Sequence, residues 1–325
     1  MALDADMIVD RRRLRRKLIF WRIFALLLIV GVVAAGAAMF SDRGMASRPG
    51  AYIARIKING LIRGDAERIE ALDRLAKSTA RAVIVHVDSP GGTTAGSEQL
   101  HDALRKVAAR KPTAVVINGL AASGGYIAAM AGDYVVAQNT SLVGSVGVIF
   151  QYPNVSELMK TVGVQIESIK STPLKAAPSG YEPTSPEARA AIEGIVKDGY
   201  TWFKELVADR RKISGETLER VSDGRIFSGR QALELKMIDQ IGDERVAIEW
   251  LAKERNVDAQ TPVRDVPLRD RLGNLSFLHL GAASLLEAVG LHVLAERLSD
   301  TGTLQALERM NLDGLLALWH PPAAN

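Results

Sequence analysis

The 325-residue chain contains no cysteine. Its elements cannot be stapled by disulfides, and a thiol nucleophile is excluded. The absence itself is compatible with any compartment. Neither G-x-x-x-x-G-K-[ST] nor G-x-G-x-x-G occurs, so the usual sequence signs of a phosphate cradle are missing. No H-x-x-x-H pair and no carboxylate cluster points to a metal. No internal repeat is evident. Neither a metal nor another cofactor is expected. Charge is absent from residues 23–40, and that gap is the first positive sign.

The gap follows a basic run of Arg11, Arg12, Arg13, Arg15, Arg16 and Lys17, which holds much of the basic charge behind the net +4. A basic run alone can be a nucleic-acid arm. Its position argues otherwise. With Leu18 to Trp21 added, the apolar stretch is long enough to cross a bilayer, and Arg22 sits near enough to the basic end to snorkel. The positive-inside rule keeps residues 1–17 in the cytoplasm and sends the chain after about residue 41 across the membrane. The run is long for a cleaved signal peptide, so an uncleaved anchor over 18–40 is expected. No nucleic-acid partner is expected.

After a polar linker at 41–51, the pattern alternates between strands and helices. Residues 52–58 and 82–87 read as strands, and 65–77 and 94–110 as helices with apolar residues at helical spacing. Strand, helix, strand, helix, strand, helix is the signature of a mainly parallel α/β sheet with crossovers. Apolar, strand-like segments follow at 133–136, 143–150 and 164–169, with a helix over 154–162. Ser185-Pro186-Glu187 starts a long helix to about 213, with Ser at the N-cap, Pro at N1 and an acid in the first turn. Helical segments are expected at 215–221, 228–236 and 244–255. The tail from 256 reads as an amphipathic helical extension ending in Pro321-Pro322.

The chain is organised around residues 114–133, AVVINGLAASGGYIAAMAGD. A buried strand at Val115-Val116-Ile117 turns through Asn118-Gly119 and reaches Ser123 just before a small-residue helix. A serine at such a turn exposes its hydroxyl beside free backbone N–H groups, as in a nucleophile elbow; a plain helix cap is the simpler reading. Three other segments carry possible chemistry. Asp88-Ser89-Pro90-Gly91-Gly92 follows a strand and precedes a helix, so its N–H groups can face developing negative charge. Gly144-Ser145-Val146-Gly147 allows close backbone approach and adds a hydroxyl. Lys175 lies between Leu174 and Ala176-Ala177-Pro178, an apolar setting for an amine. Most loop lysines are solvated, but a buried amine is more easily freed of its proton and can serve as a base toward a serine. His86 and Asp88 lie on one strand face and make a second, weaker candidate set with serine.

D-S-P-G-G at 88–92, N-G-L-A-A-S-G-G-Y-I-A-A-M-A-G-D at 118–133, G-S-V-G-V at 144–148 and the lysine in S-T-P-L-K-A at 171–176 resemble the signal peptide peptidase A family. These are membrane-anchored bacterial serine proteases with a Ser-Lys dyad. The resemblance runs from about residue 52 to 255, keeps the motif order, and suits the short, single-domain form. It implies Ser123 as nucleophile, Lys175 as base and Ser145 as the group orienting the lysine amine. The backbone N–H groups of Gly91 and Gly124 are implied as the oxyanion hole. The family's lysine segment commonly reads S-G-x-x-K-D; here the flanks differ, which leaves Lys170 as the fallback. The fold implied is that of Clp protease and crotonase, with repeated β-β-α and βαβ units and a mainly parallel sheet. The expected layout is a cytoplasmic segment (1–17), an anchor (18–40), a linker (41–51), a protease domain (52–255) and a helical extension (256–325).

The resemblance further implies peptide substrates such as signal-peptide remnants and a homo-oligomer. It places the enzyme in the bacterial inner membrane, with the catalytic domain outside the cytoplasm. Two other readings compete. A crotonase-type acyl-CoA enzyme also uses Asn-Gly and Gly-Gly turns, although an external domain suits a CoA substrate poorly. A membrane-tethered scaffold would leave Ser123 and Lys175 inert.

Overall fold

A computed structural model of the protein describes residues 50–268 and 316–318, together with Lys17, Phe20 and Trp21. Residues 1–50 and 51–325 are separate compact units. In the first, Lys17, Phe20 and Trp21 are helical, and the rings of Phe20 and Trp21 meet edge to face with centroids 6.2 Å apart. Among the described residues no helix is long and apolar enough to cross a membrane. The span expected over 18–40 lies almost wholly outside them.

The second unit is built on an eight-stranded, mostly parallel sheet. Its main path is β7 (Ile226–Ser228), β6 (Leu142–Gly144), β4 (Thr113–Ala122), β2 (Ala80–Ser89), β1 (Tyr52–Asn59) and β9 (Val263–Asp265). Off this path, β5 (Tyr134–Ala137) pairs with β4 and with β8 (Gln240–Ile241). Only the β6–β7 pairing is antiparallel within this sheet. The central strands are β-branched and buried on both faces, as a covered parallel sheet requires. Alternate residues serve two cores. Val83, Val85, Val115 and Ile117 pack under α1 (Ala66–Lys77), α2 (Thr94–Ala108) and α3 (Gly124–Ala129). Ile84, Val116 and Val136 pack against α8 (Glu244–Arg255) through Ala247 and Leu251.

Local chemistry sets the helix starts. Asp65 accepts from Arg68 N at 3.1 Å and Thr93 from Gly96 N at 3.2 Å. Ser185 accepts from Ala188 N at 3.1 Å, with Pro186 opening α5 (Pro186–Arg211) as its sequence predicts. Helices α4 (Ser156–Thr161), α6 (Gly215–Val221) and α7 (Gly229–Glu234) are short.

Three local expectations are corrected. Asn118-Gly119 is not a turn. β4 runs through it to Ala122, and a register shift falls between Val87↔Ile117 and Ser89↔Ala121. The extra residues bulge the strand, so that β4 pairs with β5 over Ala114–Ile117 and with β6 over Leu120–Ala122. The strand expected over 143–150 ends at Gly144. Residues 164–169 form no strand and are exposed, because no neighbour covers their apolar side chains. Of the helical extension expected over 256–325, residues 269–315 and 319–325 lie outside the described residues; the described ones form β9 and β10 (Leu316–Leu318). β10 pairs antiparallel with β3 (Gly91–Thr93) in a separate two-stranded sheet.

Candidate active site

Ser123 stands where β4 ends and α3 begins. Its backbone is at φ 53°, ψ −118°, a conformation that a serine holds only when its surroundings impose it. Two neighbours do so. Ser123 N–H donates to Gly144 O at 2.7 Å, and the Ser123 carbonyl accepts from Tyr126 and Ile127 N–H at 2.9 and 3.0 Å. The hydroxyl is therefore not a cap: it makes no bond to the helix N–H groups and instead reaches Gly147 O at 3.5 Å. This is the geometry of a nucleophile elbow, in a side chain that is only 1% exposed.

The sheet brings two of the other motifs to this turn. Ser89↔Ala121 pairing sets the 88–92 loop beside it. Contact is close enough that a Cβ on Gly125 would lie 2.5 Å from Ser89 O. Gly91 has φ 104°, and its N–H donates to Ser89 Oγ at 3.1 Å, while that hydroxyl donates to Gly60 O at 2.7 Å. On the other side, Ala122↔Gly144 pairing sets Ser145 next to Ser123. Ser145 also has a positive φ, 53°, held by its N–H bond to Arg225 O at 2.8 Å. Its side chain makes no hydrogen bond among the described residues. A cleft of about 490 Å³ opens beside Ser145 and Gly147, walled by Val146, Ile149, Val196 and Tyr200.

Lys175 takes no part in these hydrogen bonds. It is exposed, its backbone N–H turns back onto Thr172 O at 3.0 Å, and no hydrogen bond links its amine to the serine. The loop that carries it is nonetheless built. Val155 N–H donates to Gly180 O at 2.8 Å, Asn154 to Glu182 O at 3.0 Å, and Lys170 pairs with Glu182 at 2.7 Å. The pairing engages the fallback lysine. His86 forms no triad: Nε2 contacts Glu244 at 2.5 Å and Nδ1 meets Asn118 at 2.9 Å.

Sequence reading missed what holds the far end of α3. Arg210, on α5, donates to Met130 O and Gly132 O at 2.8 Å each. Arg105, on α2, donates to Ala131 O at 2.7 Å. Arginines on amphipathic helices carry no pattern that separates a clamp from a solvated face. Tyr126 is fully buried and donates to Met237 O at 2.8 Å; burial raises its pKa well above the usual phenol range.

Comparison with known proteins fits this geometry. The sequence profile of peptidase family S49 matches residues 105–258, a span that includes Ser123, Ser145 and Lys175. The protein slr0021 of Synechocystis sp. is 33% identical over 208 residues, covering 63% of this chain and 75% of that one. The chain belongs to peptidase family S49. Protease 4 of Salmonella typhi is 31% identical over 185 residues, 57% of this chain and 30% of its own length. The chloroplastic serine protease SPPA of Arabidopsis thaliana is 26% identical over 288 residues, 88% of this chain and 41% of that protein. The chain thus spans less than half of these last two relatives. Family membership makes it a serine peptidase of the SppA and protease 4 type. It sets aside the acyl-CoA and scaffold readings.

Proposed function

We propose that the chain is a membrane-anchored endopeptidase in which Ser123 and Lys175 form a Ser-Lys dyad acting on apolar peptides such as signal-peptide remnants. The observation that carries this reading is the imposed backbone of Ser123 between the 88–92 loop and Gly144. The Lys175 amine takes the Ser123 proton as the hydroxyl attacks the scissile carbonyl, and returns it to the leaving amine. Water then releases the acyl group. The Ser145 hydroxyl, unengaged among the described residues, orients the amine. The tetrahedral oxyanion is held by the N–H groups of Gly124 and Gly91. The Gly91 N–H leaves Ser89 Oγ to do so, because a bond to a charged oxygen is roughly twice as strong as one to a neutral hydroxyl.

In this reading the exposed Lys175 meets the serine of a neighbouring copy. The same segment exposes Leu158, Val162, Val164, Ile166, Ile169 and Leu174, an apolar run that suits a homo-oligomer contact. Residues 18–40 form the anchor in this reading, with 1–17 cytoplasmic and the peptidase unit on the outer side of the bacterial inner membrane. A fold of the Clp protease and crotonase kind is consistent with the mostly parallel sheet.

The test is hydrolysis of an apolar peptide ester by the full chain in detergent. Ser123→Ala and Lys175→Ala should each lower kcat by about 10⁴ or more with folding retained. Ser145→Ala should lower it by about 10². Full activity in folded Lys175→Ala would remove Lys175 as the base.

A further inference from the structure

The bulge in β4 lies just ahead of the nucleophile. Between the pairs Val87↔Ile117 and Ser89↔Ala121, Asp88 of β2 stands opposite Asn118, Gly119 and Leu120 of β4. The bulge carries β4 from β5 to β6, and the β6 pairing then sets Ser123 N–H on Gly144 O. Whatever fixes the bulge therefore fixes the register of the catalytic turn. Two side chains do so. Ser141 Oγ lies 3.0 Å from both Ile117 O and Asn118 O. The Asn118 amide donates to His86 Nδ1 at 2.9 Å.

His86 follows Ile84 by two residues on β2, so its ring stands on the sheet face that α8 covers, away from α3. Its side chain is only 14% exposed. Nε2 lies 2.5 Å from Glu244 Oε2, at the first residue of α8. Arg55 grips the same carboxylate: Nη2 donates to Oε1 at 2.9 Å, and Nε lies 2.8 Å from Oε2. An ionised carboxylate only accepts, so the ring proton sits on Nε2 and Nδ1 keeps a lone pair. That lone pair takes the Asn118 amide. The other charged groups around the ring are few. Lys57 of β1 is the cross-strand partner of His86, and Asp88 lies further along β2. Asp265 of β9 accepts from Arg55 at 3.3 Å. β4 contributes only Val116 and Asn118 here.

We infer that His86 is a positioning residue for Ser123: with its single proton on Nε2, it ties the Asn118 bulge to Glu244 and so holds the turn that presents the nucleophile. The inference rests on Ser123 being the nucleophile. A second proton would occupy Nδ1 and remove the acceptor that Asn118 uses. Acid then weakens hydrolysis through His86 as well as through the base. A shift of about 1 Å at the reacting atoms can cost about 10²-fold in rate. The effect falls on kcat, because His86 lies on the far face of the sheet from the cleft.

The test is hydrolysis of an apolar peptide ester by the full chain in detergent. Asn118→Ala should lower kcat about tenfold or more, with KM within about twofold of wild type. His86→Ala should do the same, and the double variant should be no worse than either, since both remove one link. In His86→Asn, Oδ1 stands in for the Nδ1 acceptor without titrating. It should recover most of the lost kcat at about pH 8, and its kcat relative to wild type should rise several-fold toward about pH 5. Titration of the base cancels in that ratio, because both chains carry Lys175. Full kcat in Asn118→Ala, a loss confined to KM, or a ratio flat with pH would each overturn the inference. Asn118 is exposed, so Asn118→Ala and His86→Asn keep the test decisive even if His86→Ala fails to fold. Wild-type hydrolysis by Ser123→Ala would overturn the serine assignment itself. An inactive Ser123→Ala beside a fully active Asn118→Ala would overturn only the role of His86.

Discussion

Ser123 pays for its position in backbone strain. A non-glycine residue at φ 53°, ψ −118° costs about 1–3 kcal/mol, and here the Gly144 and α3 hydrogen bonds hold it. Glycine takes that conformation freely but loses more entropy on folding, by about 0.4–1 kcal/mol. Ser123→Gly should therefore raise the unfolding free energy by about 1 kcal/mol while abolishing hydrolysis. Urea unfolding measures it; a less stable glycine variant would mean that no strain is stored at this residue. The motif A-S-G-G shows in the sequence, and so does the serine's place between strand and helix. The positive φ does not, because it is set by Gly144, a residue distant in the chain.

At the scale of elements, α3 is too short to hold itself. It has six residues, all of them buried; the N–H groups of Met130, Ala131 and Gly132 bond its last carbonyls, and the carbonyls of those three residues accept in turn from the arginines of α2 and α5. Hydrogen bonds to charged groups contribute about 1.5–3 kcal/mol each. Arg210→Met removes two and should cost about 3–6 kcal/mol of stability. Arg210→Lys, which keeps the charge but not the fork, should recover part of it. Equal stability of Arg210→Met and wild type by thermal unfolding would show that α3 does not depend on the clamp. Periodicity located α1, α2, α5, α6 and α8 to within a residue or two, because each has an amphipathic face and most have a side-chain cap. The bulge at Asn118-Gly119 reads in sequence as a turn, since the same residue types serve both; pairing with two successive neighbours makes it a bulge.

For the molecule as a whole, the question is how an exposed lysine reaches a buried serine. If each dyad is completed across two copies, Ser123→Ala and Lys175→Ala chains are complementary. One keeps the lysine and the other the serine. Mixed under conditions that exchange subunits, two inactive preparations should regain up to about a quarter of wild-type activity, as expected for random pairing in which one interface orientation joins the intact residues. No recovery, with exchange verified by mass, would place both residues in one chain.

The order of strands and helices, the caps at Asp65, Thr93 and Ser185, and the four motifs were legible in the sequence, because each depends on neighbours within a few residues. The sequence also carried the family, since those motifs keep their order along the chain. Tertiary structure decided which motifs meet. Parallel pairing of β2, β4 and β6 sets Ser89, Ser123 and Ser145 side by side, while among the described residues no hydrogen bond joins Lys175 to them. It also decided that a short Leu-Ala-Leu run near the C-terminus is a strand on β3. Three residues have too little periodicity to declare a strand, and only an open backbone edge, supplied from more than two hundred residues away, makes them one.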